Sequence, residues 1–422
     1  MSARRASPVW HPFTQHALQP EMLEVTRSEG AWLKTPDRRR ILDAISSWWV
    51  VTHGHRHPRI VAAIKEQAER LDQVIFAGFT HAPAERLARG LMAIAPPGLA
   101  HAFFSDSGST SVEVALKMAL GYWRNIGEPR HRILALEHAY HGDTIGGMSV
   151  GARGLFNAPY EPLLFEVGRI PFPAEGHEKD AIDVLEAVCA EGDVAALILE
   201  PLILGAGGML IYSADVLSEM KRVCERYSVL LIADEVMTGW GRTGTLLACE
   251  QAGVAPDILC LAKGLTGGSL PLAVTLCSGP IFEAHLSPDR TRTFFHSSSY
   301  TANPIACAAA LANLEVWENE PVSARIAALS TRQAERLAPF EDDRRFQNVR
   351  RIGTIAALDL DVRDVGYLAE VGPRLYSHFL ERDMLLRPLG NTIYVMPPYC
   401  VTEDELDLVY AAIRAAADAV GG

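Results

Sequence analysis

Between about residues 130 and 265 the chain alternates short, unbroken apolar runs with longer amphipathic ones. RILALEH (132–138), VAALILEP (194–201), SVLLIADE (228–235) and DILCLAK (257–263) each carry at least four consecutive apolar residues. A strand wetted on one side alternates apolar and polar positions. These runs do not, so they read as strands buried on both faces of a sheet. SADVLSEMKRVCERY (213–227), between two of them, repeats its apolar positions with a helical period. Strand and helix in alternation predict an α/β fold with a mostly parallel central sheet covered on both sides.

The flanks have another texture. The first sixty or so residues are rich in Trp, His and Pro and read as an arm with short strands. From about Pro321 onward helical text such as SARIAALSTRQAERLAPF is followed by short strands such as TIYVMPP, the pattern of a smaller α+β domain. With 422 residues, two or three cores can be buried. Neither a repeat nor a low-complexity linker separates them.

Composition narrows the class. Hydrophobic residues make up 49% and charged residues 21%, as in ordinary globular proteins. A formal net charge of −12 argues against nucleic acid as the main partner. The opening MSARRASPVW is basic but lacks the apolar core of a secretory signal, and no apolar run has membrane-spanning length. The expectation is a cytoplasmic protein. Seven scattered cysteines, none in a C-x-x-C pair, read as buried small hydrophobes rather than disulfides or a zinc site.

Open α/β sheets place their ligands at the carboxyl ends of the strands. One strand ends at Asp234, and another ends at Lys263 in LAKGLTGG. A desolvated lysine becomes a nucleophile capable of Schiff-base chemistry. The aspartate could pair with a protonated pyridine nitrogen. At about 4 Å and an effective dielectric near 20 that pairing is worth on the order of 4 kcal/mol. An exposed helix-end interaction is worth only about 0.3–1 kcal/mol, so the carboxylate would decide the ring's protonation. With a phosphate cradle these residues describe a pyridoxal-phosphate site; without one they could equally be a buried ion pair. SDSGSTSVEVALKMALGYW (105–123) offers such a cradle. Thr110 and Glu113 read as a capping box, placing Gly108 and Ser109 at a helix N-terminus, where free amides favour phosphate. In EHAYHGDT, Tyr140 follows a strand end and is placed to stack on a planar ring, with His141 and Asp143 beside it.

Two further patterns compete. Gly239, Gly241 and Gly244 in LLIADEVMTGWGRTG have the G-x-G-x-x-G spacing of a dinucleotide loop. Four residues separate the first glycine from the strand end and Arg242 sits inside, so they read as turn residues. His53, His55 and His57 at alternate positions would share one strand face. With no carboxylate or cysteine near them in sequence, no metal site is expected.

SDSGSTSVEVALKMA, AYHGDT, LLIADEVMTGWGRTG and LAKGLTGG, in that order, resemble the motifs of class III aminotransferases of PLP fold type I, and the 29-position spacing from Asp234 to Lys263 fits them. WHPFTQH, SSWWVVTHGHRHP, GFTHAPAERLA, YHGDTIGGMSVG and RPLGNTIYVMPPY are similar to the branch of that family serving biotin synthesis. The likeness runs from Trp10 to about Tyr410. It implies a large cofactor-binding domain over residues 61–315. A small domain would be built from residues 1–60, which include an N-terminal arm, and residues 316–422. The implied activity is transamination of 7-keto-8-aminopelargonate to 7,8-diaminopelargonate with pyridoxal 5'-phosphate, usually with S-adenosylmethionine as donor.

The resemblance also implies roles. Lys263 would form the Schiff base, Asp234 would pair with the pyridine nitrogen and Tyr140 would stack on the ring. Gly108 and Ser109 would bind phosphate, joined by Ser299 from a partner subunit, hence a homodimer with shared sites. Arg387 would take the substrate carboxylate. Trp48, Trp49 and Tyr394 would line the substrate channel, with Arg242, Glu200 and Asp143 in or behind the pocket. One position departs from the family pattern. Members using S-adenosylmethionine generally read W-H-P-Y, whereas this chain has Phe13. WxPFTQ and TFFHxxSYTxN, matched at Trp10–Gln15 and Thr293–Asn303, resemble relatives that use lysine, while IYVMPPY resembles the S-adenosylmethionine type. A different class III ω-aminotransferase, of the 4-aminobutyrate or ornithine type, is the nearest rival.

Overall fold

The computed structural model describes residues 7–363 and 365–420; the start of the basic opening lies outside them. Seven strands form the central sheet: β1 (Leu99–Ser105), β2 (Arg132–Leu136), β3 (Gly168–Ile170), β4 (Val194–Leu199), β5 (Leu230–Asp234), β6 (Ile258–Leu261) and β7 (Ala273–Ser278). Their order is β1-β7-β6-β5-β4-β2-β3. Only β7 runs antiparallel, against both β6 and β1; the remaining pairs are parallel. Every residue of β4, β5 and β6 is buried, as their unbroken apolar runs require.

Helix α1 (Gly108–Ile126) follows β1 and packs Val112, Ala115 and Ala119 into the core shared with β2, β4 and β5. Its cap differs from the expected pairing. Ser107 is the N-cap: its Oγ accepts the Thr110 N–H at 3.2 Å, and the Thr110 hydroxyl accepts the Ser107 N–H at 2.9 Å. Glu113 instead turns outward from the helix to accept the amides of Gly146 and Gly147. On the other face Leu217, Met220 and Val223 of the Ala214–Arg226 helix pack with residues of β2, β4 and β5.

Two smaller sheets join the chain's beginning to its end. The strand Arg40–Asp43 pairs with Trp32–Lys34 on one side and, in parallel, with Met384–Leu385 on the other. The strands Phe346–Ile352, Ile355–Leu360 and Thr392–Val395 make an antiparallel three-stranded sheet. A core including Ile45, Trp49, Phe340, Leu375, Tyr394 and Ile413 spans both. The turn after Asp43 is thereby lodged where the small sheets meet the central one. Six cysteines are buried and Cys400 is exposed; none is in a disulfide among the described residues. No helix among those residues is long and apolar enough to cross a membrane.

Candidate active site

The carboxyl ends of β1, β2 and β5 and the start of α1 open on a cavity of ≈ 630 Å³. It gathers Gly108, Ser109, Tyr140, Asp143, Glu200, Asp234, Lys263, Trp48, Trp49, Arg387 and Tyr394. Residues more than 330 positions apart in sequence thus share one wall. Two expected residues lie elsewhere. Ser299 is exposed and does not line this cavity, its carbonyl accepting from Gln73, while the neighbouring Ser298 hydroxyl donates to Asp106 in the cavity wall. Arg242 is only 1% exposed and stands behind the wall. Its guanidinium donates to the carbonyls of Trp49, Val51 and Pro397 at 3.3, 2.9 and 3.1 Å. With those carbonyls as partners it is held out of the pocket and supports backbone.

Asp234, the last residue of β5, is buried and fixed from two sides. Its Oδ1 accepts the Val236 N–H at 3.1 Å, and its Oδ2 lies 2.7 Å from His141 Nδ1. Glu200, just past β4, accepts the Tyr140 and Gly205 amides at 3.1 and 3.0 Å. Burial pushes the Glu200 carboxyl up to about 7, helped by the nearby Asp234 charge and opposed by His141. Tyr140 is half-buried, and burial followed by the Asp143 charge raises its phenol.

Lys263 begins a short 3-10 turn after β6 with φ of 47°. Its surroundings desolvate the amine and lower its pKa to about 8, while Asp234 and Glu200 act in the opposite direction. Its Nζ sits 4.7 Å from the centre of the Trp49 ring. Trp49 Nε1 donates to the Tyr394 hydroxyl at 3.1 Å. Trp48 is 41% exposed to the cavity, with the Arg387 guanidinium 5.4 Å from its ring. Arg387 also donates to the Phe13 carbonyl at 3.2 Å, and the Phe13 ring lies 5.5 Å from Trp48 and 5.9 Å from Phe156. A non-glycine residue with positive φ costs on the order of 1–3 kcal/mol, and Lys263, Trp49 and Phe13 all carry one.

These residues fit pyridoxal phosphate. The first amides of α1, at Gly108 and Ser109, have no acceptor within the helix by its geometry, and both residues line the cavity. Gly108 keeps that floor open: a Cβ there would lie 2.6 Å from Val236 Cγ1. An anionic carboxylate, an aromatic side chain and an amine line the same space.

Three contributors stand outside the expected site residues. In sequence His141 is only a neighbour of Tyr140; its contact with Asp234 ties the loop after β2 to β5 and is not local. Val236 borders the cavity beside Gly108, and the apolar residue two positions after Asp234 was the available signal. Glu113 reads in sequence as a capping residue but holds the amides of Gly146 and Gly147. The histidines also part company with expectation. His53, His55 and His57 face Asn313, Asp43 and Glu320 respectively, so carboxylates are near; the rings of His53 and His57 meet at 5.8 Å, while His55 turns to Asp43. The glycines at 239, 241 and 244 lie in turns, with the next helix starting only at Cys249.

The Aminotransferase class-III family profile matches residues 13–417. The chain is 49% identical over 413 residues to the adenosylmethionine-8-amino-7-oxononanoate aminotransferase of Synechococcus elongatus, covering 96% of this chain and 97% of that protein. The crystal structure of the enzyme of that name from Methanocaldococcus jannaschii superposes with a TM-score of 0.93 at 34% identity, covering 98% of this chain and 97% of that one. An amine transaminase from an uncultivated Pseudomonas species, solved in its PLP-bound form, gives 0.92 at 35% identity over 98% and 99%. The chain belongs to the class-III aminotransferases and is a pyridoxal-phosphate-dependent transaminase.

Proposed function

We propose that this enzyme transaminates 8-amino-7-oxononanoate (7-keto-8-aminopelargonate) to 7,8-diaminopelargonate in biotin synthesis, with S-adenosylmethionine as amino donor. The observation that carries the reading is Lys263 and Asp234 opening from adjacent strands onto a cavity that also holds Arg387 and two tryptophans. The names of the relatives from Synechococcus elongatus and Methanocaldococcus jannaschii point to the same substrate.

When bound, pyridoxal phosphate supplies an aldehyde that condenses with amines and a ring that accepts electron density. Gly108 and Ser109 would hold its phosphate at the start of α1. Asp234, oriented by His141, would hold a proton on the ring nitrogen of the bound group, and Tyr140 would stack against it. The Lys263 amine, with a pKa of about 8, is present in both protonation states near neutral pH. It can therefore take a proton from a substrate carbon and return it. Trp48, Trp49 and Tyr394 exclude water along an aliphatic chain, and Arg387 takes a carboxylate through its guanidinium fork. The aromatic group of Phe13, Trp48 and Phe156 suits a sulfonium cation.

In this proposal the enzyme works in the cytoplasm as a homodimer, with Ser299 of each subunit serving the partner's phosphate. The exposure of Ser299, outside the lining of its own cavity, agrees with that role. A second reading for the donor is lysine, favoured by Phe13, which brings no hydroxyl to the cavity.

The test is the visible absorption of the cofactor-loaded enzyme with each donor added separately, followed by addition of 8-amino-7-oxononanoate and mass spectrometry for the diamine. Bleaching by S-adenosylmethionine with product formation supports the proposal. Bleaching by lysine alone moves the donor. Response to 4-aminobutyrate but not to the keto acid overturns the substrate.

A further inference from the structure

The turn carrying the two tryptophans holds three non-glycine residues in left-handed backbone: Ser46, Ser47 and Trp49, with φ of 55°, 60° and 68°. Nothing in SSWW favours that conformation, which glycine adopts most readily. Strained backbone persists only where its surroundings over-determine it. Here two buried side chains of opposite charge do so from either end.

On the N-terminal side stands Asp43, fully buried at the end of the strand Arg40–Asp43. Its Oδ1 accepts the N–H groups of Ser47 at 2.8 Å and Ile45 at 3.4 Å. Its Oδ2 accepts the Ser47 hydroxyl at 2.9 Å and faces His55 Nε2 at 2.8 Å. On the C-terminal side Arg242 donates to the carbonyls of Trp49 and Val51 at 3.3 and 2.9 Å. The carboxylate gathers N–H groups before the tryptophans and the guanidinium gathers carbonyls after them. Each group is matched to the backbone polarity it meets.

We propose that Asp43 is a positioning residue for the substrate: opposite Arg242, it clamps the strained turn so that Trp49 lies against the Lys263 amine and Trp48 forms the channel wall beside Arg387. Asp43 does not border the cavity and acts only through the turn. Three of its four polar contacts go to that turn, and the fourth, to His55, fixes the carboxylate itself. The proposal rests on the reading that the cavity takes a keto acid with an aliphatic chain.

Asp43→Asn keeps the shape and turns one accepting oxygen into a donor that faces the Ser47 hydroxyl and His55. Ser47→Gly accepts the same φ without a Cβ. Kinetics with 8-amino-7-oxononanoate and melting temperatures are compared for wild type, both single variants and the double variant. For Asp43→Asn a KM increase of about 10-fold is expected, with kcat changed by less than about 3-fold. In the double variant Ser47→Gly is expected to recover at least about half of that loss on a logarithmic scale, since it removes the strain the clamp opposes. A lowered melting temperature with KM unchanged, or a KM loss that Ser47→Gly does not recover, overturns the proposal. If Asp43→Asn does not fold, Ser47→Ala removes the hydroxyl contact alone; about a 3-fold rise in KM supports the clamp, and no rise overturns it. A wild type that does not turn over this keto acid faults only the substrate reading, and the same variants are then compared on KM for 4-aminobutyrate.

Discussion

His141 Nδ1 lies 2.7 Å from Asp234 Oδ2, with both side chains buried. Because Asp234 Oδ1 also accepts the Val236 amide, the carboxylate cannot rotate without breaking one of the two bonds. A hydrogen bond to a charged group contributes about 1.5–3 kcal/mol, so its loss costs roughly 10–100-fold if felt in the transition state. His141→Phe keeps an aromatic ring and removes the bond. We expect kcat/KM to fall within that range, with melting temperature as the control for folding.

Lys263 titrates well below an ordinary lysine because burial disfavours its ammonium, and Asp234 resists that shift. In the cofactor-free protein, pH-dependent acylation of Lys263 followed by mass spectrometry should show half-maximal reactivity near the value of about 8. Asp234→Asn removes the anion that favours the ammonium, so the midpoint should move lower still. The folded chain binds fewer protons than the unfolded chain between about 8 and the ordinary lysine value of 10.5, so this group makes stability rise with pH across that window. Lys263→Met should flatten that rise and abolish transamination.

Gly108 leaves no room for a side chain, since a Cβ would sit 2.6 Å from the stiff Val236 side chain. Gly108→Ala should weaken pyridoxal-phosphate binding by about 10-fold, as one of the two walls must shift by a fraction of an ångström. Val236→Ala in the same chain should restore much of the affinity. Equilibrium titration of the apoenzyme, followed by absorption, checks both.

His53 is buried with its Nε2 2.8 Å from Asn313 Oδ1, and burial lowers its pKa to about 4. The unfolded chain therefore binds a proton that the folded chain does not, between the ordinary value of 6.5 and about 4. Stability should fall as pH falls through that window. His53→Gln can still donate to Asn313 and cannot titrate. Its melting temperature should depend less on pH from 6.5 to 4 than that of the wild type.

Much of this site was legible because its signals are local. Apolar runs without alternation predicted the buried strands, and Asp234 and Lys263 stood at their ends. The first turn of α1 was readable as an amide-rich helix start, although the cap belongs to Ser107 and Thr110. Arg242 shows where local reading stops. Its place inside a glycine-rich turn is visible in sequence, but the three carbonyls that hold it come from residues 49, 51 and 397. Likewise, alternate spacing grouped His53, His55 and His57, whereas their partners lie at positions 313, 43 and 320.

The sequence by itself determined the alternation of strand and helix, the burial of the central strands and the candidate nucleophile at a strand end. Those follow from side-chain period and backbone preference within a few residues. Only the tertiary structure decided that His141 would orient Asp234, that Glu113 would leave its helix cap for two distant amides, and that Arg242 would reach the carbonyls of Trp49 and Val51. Each of those bonds joins groups far apart in the chain. Its formation depends on which surfaces pack together and on the need of every buried polar group for a partner, and no period in the sequence encodes either.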